Sequence, residues 1–307
     1  METFKTILNR LMILIPVLIV LNPALGRAEN RITISVATLP SAIKKFNSLP
    51  EAARNTPLSL SNIAPEINSG CSVSLMIIKN AMKLSGIDVD FKFIQVPNSR
   101  REIDEVAKGN AVIGSNLFNE KDISIHDYNA KVYLTTAIAQ SGEFHKGIYC
   151  LPENRKMHDV KTLEDLKKAG TALIGLHWNN DYRVLSGMGI TRIERGQNMD
   201  NMFRMIKAGR ADWIPLGFQN HPGMTIKHAG ISLVPVKGIK ISLIESRHFI
   251  ISRRHPQGEQ IYQALEKGME AMRNDGIMQK LMHQGGYTCP EVETWKDLNP
   301  IHLTSSN

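Results

Sequence analysis

Val106-Ala107-Lys108-Gly109-Asn110-Ala111-Val112-Ile113, running on to Phe118, and Ile206-Lys207-Ala208-Gly209-Arg210-Ala211-Asp212-Trp213, running on to Phe218, are two versions of one pattern. Gly109 aligns with Gly209, Ala111 with Ala211 and Phe118 with Phe218. In each copy an amphipathic helix stops at a glycine, which adopts the left-handed conformation beyond a helix end without a Cβ penalty. A short apolar strand follows and its far end runs into a loop. Two α/β lobes built alike, with strand ends facing each other, leave a cleft between them that suits a small ligand.

Outward from the repeat, strands and helices alternate. Ile32, Ile34 and Val36 alternate with polar residues as a strand does. Residues 71–84 read as a buried helix, residues 89–94 as a strand, and Ser99 as the N-cap of a helix over 100–108, before the strand 111–114. Residues 39–70, rich in Pro, Ser and Asn, read as a long loop with at most one short helix. The order then restarts, with strand 148–151, a helix over 163–168 capped by Thr162, and strand 172–175. The loop His177-Trp178-Asn179-Asn180-Asp181, helix 199–208 and strand 211–214 complete it. Strands 233–236 and 249–252 precede a tail helix over 259–283 with a break at Asp275-Gly276. Such alternation implies mostly parallel sheets whose ligands bind beyond the carboxyl ends of the strands.

The chain has 307 residues and a net charge of +8. Lys5 and Arg10 precede an apolar run from Leu11 to Leu21, and Gly26-Arg27-Ala28 supplies the small residues of a cleavage site. Residues 1–28 therefore read as a signal peptide cut after Ala28, which implies a periplasmic location. The apolar run is far shorter than the ~20 residues a membrane helix needs. Its removal takes Lys5, Arg10, Arg27 and Glu2, lowering the charge to +6 and leaving 279 residues, enough for two lobes. Basic residues are scattered and aromatic residues few, so nucleic acid is not an expected partner. Cys71, Cys150 and Cys289 allow one disulfide, and the sequence does not choose the pair. The ten histidines lack metal-site spacing, and neither metal nor cofactor is expected.

The tail carries a family likeness. Phe249-Ile250-Ile251-Ser252-Arg253-Arg254-His255-Pro256, then a helix with Leu265, Gly268 and Met269, then Asn274-Asp275-Gly276-Ile277-Met278 and Gly286-Tyr287, resembles the closing segment of extracellular solute-binding proteins of the polar amino-acid type (family 3), the receptors of ABC importers. Gly109-Asn110-Ala111 and Gly209-Arg210-Ala211-Asp212 resemble the marks of that family's two lobes. The resemblance implies a two-lobed periplasmic-binding-protein-like (type II) α/β fold, each lobe a mostly parallel sheet flanked by helices, joined by two crossing strands. The chain would cross near 141–148 and return near 236–246. The expected division is residues 29–143 for the first lobe, 144–240 for the second, and 241–307 back to the first. The family's Thr/Ser-x-x-Arg clamp for an α-carboxylate is missing from Ser115-Asn116-Leu117-Phe118-Asn119-Glu120-Lys121.

Candidate ligand-binding residues follow from strand ends and loop chemistry. Arg100 opens a helix after a strand and either meets an anion in the cleft or stands as a solvated or lobe-packing arginine; Asn98 shares its turn. Asn116 lies just past a strand end. Trp178 offers a stacking face, with His177, Asn180 and Tyr182 nearby. Ser72 stands at a helix start with free backbone N–H groups. Trp213 and Met199, Met202 and Met205 read as core, and Arg247 as a surface charge. The expected function is capture of a small polar or anionic, amino-acid-like solute, passed by a monomer to the permease of an ABC importer or to a membrane sensor. The alternative is an enzyme on the same scaffold, of the cyclohexadienyl-dehydratase kind, using Glu120, Asp181, Asp212 or His177 as acid or base.

Overall fold

The computed structural model describes residues 30–67, 70–125, 127–219 and 221–299; the expected signal peptide and its cleavage point lie outside them. In the first sheet, the strand Asn30–Thr38 lies parallel to Ile87–Gln95 on one side and to Ile113–Gly114 on the other. Ile250–Ser252 then pairs antiparallel with Ile113 and with the edge strand Val132–Leu134. In the second sheet, Ala172–Gly175 is parallel to Ile193–Gly196 and bridges Trp213 in parallel on its other side. The strand Ile214–Gly217 that follows Trp213 is antiparallel to His145–Cys150.

The two sheets thus repeat one order: outer strand, first strand, third strand, then a strand arriving from the other lobe. The sequence repeat is the third strand of each lobe with the helix that feeds it. Helix Ser99–Lys108 ends at Gly109 with φ 85°, and helix Met199–Lys207 ends through Ala208 into Gly209 with φ 69°. A buried apolar stripe seats each helix on its sheet: Ile103, Val106 and Ala107 in the first, Met202, Phe203 and Ile206 in the second. The fold is the two-lobed α/β architecture expected from sequence.

Two segments run between the lobes, side by side and antiparallel. Ile138 N donates to Arg247 O at 2.7 Å, Arg247 N to Ala139 O at 2.9 Å, and Leu243 N to Phe144 O at 2.9 Å. The first lobe is sealed by helix Gly70–Leu84 against helix Gly258–Asn274. Their approach is close enough that a Cβ on Gly268 would fall 1.8 Å from Ala81 O.

Several sequence expectations are corrected. Residues 39–70 hold two short helices, Pro40–Asn47 and Glu51–Asn55. Asn98, not Ser99, caps the helix after it, accepting from Arg101 N at 2.9 Å. The segment 241–307 does not return to the first lobe as a whole. Helices Gly258–Asn274 and Ile277–Gln284 bury Leu265, Met269, Leu281 and Met282 in the first core. The strand Lys296–Asp297, however, pairs with Ile239–Ser242 in the second sheet, and Val292 and Leu298 bury in second-lobe clusters. Gly286 makes this third passage: at φ 73° its backbone lies against Phe218 O, where a Cβ would sit 2.1 Å away. Trp295 then packs edge-on against Phe218.

Cys150 and Cys289 are both buried free thiols, so neither takes part in a disulfide; the Cys71 side chain lies outside the described residues. Burial pushes both thiols up to about 12, the Cys289 thiol also by its hydrogen bond to Glu291, and neither is a nucleophile at neutral pH. Among the described residues no helix is long and apolar enough to cross a membrane, and no cluster of His, Cys, Asp and Glu is arranged to hold a metal.

Candidate functional site

A cleft of about 840 Å3 opens between the lobes, where the third strands, the helix starts and the crossing segments converge. Its first-lobe wall is set by the repeat. Ile113–Gly114 ends in Ser115-Asn116, and the carboxylate of Glu102, fully buried on the preceding helix, reaches up to it. Asn116 N donates to Glu102 Oε1 at 2.7 Å and Asn116 Nδ2 to Glu102 Oε2 at 2.5 Å. Gly114 leaves room for the carboxylate: a Cβ there would sit 2.9 Å from Glu102 Oε1 and 3.1 Å from Ile250 Cγ1. Burial pushes the Glu102 carboxyl up to about 8, with the Asn116 and Ser115 donors opposing.

The second-lobe wall begins on the strand His145–Cys150. Side chains two apart share a strand face, and Phe144 and Lys146 both line the cleft. Lys146 is 8% exposed; its Nζ donates to Asp181 Oδ1 at 2.5 Å and lies 4.6 Å from the centre of the Trp178 ring. Burial pulls the ammonium below its ordinary range, while Asp181 pulls the other way. The Trp178 indole folds back over Gly175, where a Cβ would sit 2.6 Å from its Nε1.

Between the walls, the crossing segment supplies Arg247 and Glu245. Arg247 is 9% exposed and lines the cleft, its guanidinium 5.6 Å from the Phe144 ring centre. In the amide orientation that satisfies both neighbours, Asn180 donates to Glu245 Oε2 at 2.7 Å and accepts from Arg247 Nη2 at 2.9 Å. Glu245 also binds Arg183 of the second lobe at 2.7 Å and Lys121 of the first at 2.9 Å. One carboxylate on the crossing segment thus ties both lobes together. Asp122 stands 3.9 Å from Arg247; burial raises its pKa and Arg247 opposes this.

Of the residues singled out from sequence, Asn98, Asn116, His177, Trp178 and Asn180 line this cleft. Arg100 lines a smaller side pocket with His177 and Asp122, and its guanidinium is engaged by Asp104 at 3.2 Å and by the Tyr128 ring. Ser72 and Tyr182 lie away from both pockets. Ser72 is 1% exposed on a helix buried through its middle turns, and Tyr182 faces solvent at 42% exposure under Arg195. Trp213 is fully buried, as expected of core. Met202 is buried, whereas Met199 is half-buried and both line the cleft. Arg247 is a cleft residue and not a surface charge. Asp212 is structural: its carboxylate accepts from Thr171 N at 2.7 Å.

Sequence reading missed Phe144, Lys146, Arg247 and Tyr287. A lysine in the apolar strand His145-Lys146-Gly147-Ile148-Tyr149-Cys150 was a usable signal, because a buried ammonium needs a partner. Arg247 gave none, since its burial depends on how the two crossings lie together.

No family model matches the chain, and no curated protein matches it. Solved structures do. One is the probable amino-acid ABC transporter extracellular-binding protein ytmK from Bacillus subtilis, at 15% identity and TM-score 0.52, covering 82% of this chain and 97% of that one. Another is an amino acid ABC transporter substrate-binding protein from Streptococcus pneumoniae bound to L-arginine, at 11% identity and TM-score 0.51, covering 83% and 93%. A third is the BvgS periplasmic domain from B. pertussis, at 12% identity and TM-score 0.52, covering 85% of this chain and 44% of that one. At these identities the likeness defines the fold: that of periplasmic substrate-binding proteins.

Proposed function

We propose that the mature chain is a periplasmic solute-binding protein that captures a small polar or anionic solute, of amino-acid size, between its lobes for ABC-type import. The observation that carries this reading is the inter-lobe cleft, walled by like-built lobes and floored by the crossing segments that bear Arg247 and Glu245. Ligand contacts to both walls favour the closed form by their extra affinity for it. Asn98, Asn116, His177, Trp178 and Asn180 contribute from the loops, with Lys146 and Arg247 from beneath, and Arg100 borders the side pocket. The lobes comprise residues 30–143 with the strand Ile250–Ser252 and the helices up to 284, and residues 144–242 with the tail strand. The protein acts as a monomer, binds without catalysing, and delivers to a membrane permease. Two features support a binding role over an enzymatic one. Asp181 is held by Lys146, and Asp212 by a backbone amide, so neither is placed as acid or base.

Purified chain lacking residues 1–28 should rise in melting temperature with one class of amino acids, organic acids or polyamines. At about 100 times Kd the gain is about 2.7 kcal/mol, a shift of roughly 5–10 °C for a chain of this size. A flat response to every class refutes the reading, as does turnover of a bound compound.

A further inference from the structure

Resting on that reading of the cleft, we infer that its ligand is a small carboxylic acid bearing a neutral hydrogen-bond donor such as a hydroxyl, and not an α-amino acid.

The anion is called for by Arg247. A guanidinium has five N–H donors. Here one hydrogen bond is made, from Nη2 to Asn180, while Nη1 stands 3.9 Å from Asp122, beyond hydrogen-bond range, and Nε has no partner. The residue is nine-tenths buried and lines the cleft. A planar donor set left unfilled in a desolvated place fits a carboxylate.

The missing ammonium follows from the carboxylates. Among the described residues that line the cleft, the buried carboxylates already face a donor: Asp181 Oδ1 meets Lys146 at 2.5 Å, and Asp122 Oδ2 meets Asn119 Nδ2 at 2.7 Å with Arg247 at 3.9 Å; Asp200, on the exposed rim, stands 3.3 Å from His228. Glu102 lies behind Asn116, its two oxygens turned to Asn116 N and Nδ2. An ammonium drawn out of water without a counter-charge is costly. What the first-lobe wall offers is Asn116 itself. One N–H of its Nδ2 goes to Glu102, which fixes the amide and leaves Oδ1 as a neutral acceptor for a hydroxyl.

The test is isothermal titration of the purified mature chain with matched pairs that differ only in hydroxyl for ammonium: L-3-phenyllactate and L-phenylalanine, L-lactate and L-alanine, L-malate and L-aspartate. In at least one pair the hydroxy acid should bind tighter by about tenfold or more, as expected for removing an unpaired charge. Arg247→Gln, checked for folding by circular dichroism, should weaken that acid by about tenfold or more. An amino acid that binds tighter than its hydroxy partner overturns the inference and leaves the solute-binding reading standing. Binding confined to amines or sugars does the same. Silence towards all solutes overturns both.

Discussion

The third strands of the two lobes carry the same local signal and do opposite things at the cleft. Glu102 and Asn116 in the first lobe stand where Met202 and Leu216 stand in the second, each pair lying at matching points of the helix–glycine–strand unit. In the first lobe a buried acid grips a strand-end asparagine through two hydrogen bonds. In the second, Met202 at 2% exposure and Leu216 at 6% belong to one apolar cluster. The backbone scaffold is common, so the difference lies in what the matching positions present. The first lobe holds a fixed hydrogen-bonding group there and the second an apolar pair, while the second lobe's polar groups come from Lys146, Asp181 and Asn180 on other elements. Asymmetry of this kind orients a ligand, since the two walls meet it with different groups.

That contrast can be broken by mutation. Glu102→Ala should cost the most, about 3–5 kcal/mol, because it leaves a cavity and strips the half-buried Asn116 donors of their partner. Changing both partners, Glu102→Met with Asn116→Leu, copies the second lobe into the first and should recover most of that loss, to within about 1 kcal/mol of the parent, while removing ligand affinity. Denaturant midpoints and titration calorimetry read the two effects separately. A double variant as unstable as Glu102→Ala would show that the lobes are not interchangeable at this point.

The acid also predicts a pH dependence. Burial pushes the folded-state carboxyl of Glu102 up to about 8 from an ordinary 4.5. Between those values the folded chain keeps a proton that the unfolded chain has released, so stability is full below the lower value and falls as pH rises towards the upper one. Glu102→Gln, which has no proton to lose, should remove about 2–4 kcal/mol of the difference in unfolding free energy between about pH 5 and about pH 8. Equal slopes for parent and variant would contradict the buried-acid account.

The glycines sharpen the same comparison at the smallest scale. Both need a positive φ, but a Cβ on Gly109 would press on Arg254 Cβ at 3.1 Å, while Gly209 has nothing within 4 Å. Gly209→Ala should therefore cost about 1 kcal/mol and Gly109→Ala about 2 kcal/mol, read as separate shifts in melting temperature. Equal costs would mean that the first lobe yields at Arg254 as freely as open solvent does.

The unit at Gly109 and Gly209, the helix 71–84 and the broken tail helix were readable because each is encoded within a dozen or so residues, by apolar spacing and a glycine stop. Asn116, Trp178 and Asn180 were readable as cleft residues for a related reason: they follow strand ends, which point one way in such sheets. Ser72 failed because a helix start gives no information about what covers it, and here the first-lobe core does. Tyr182 failed because one turn of a helix separates a buried face from an exposed one. The tail failed because Gly286 redirects it to the second lobe, a matter of one backbone angle against Phe218 O.

The sequence by itself determined the alternation of strands and helices, the twofold repeat and the strand ends that meet at the cleft, since these depend on local periodicity and chain stops. Only the tertiary structure decided which charges face that cleft and which are spoken for. Lys146 meets Asp181 thirty-five residues on, and Arg247 meets Asp122 and Asn180 from a crossing segment. Pairing of buried charge depends on distances between elements far apart in the chain, and the fall-off of electrostatic interaction with distance and solvent makes those few ångströms decisive.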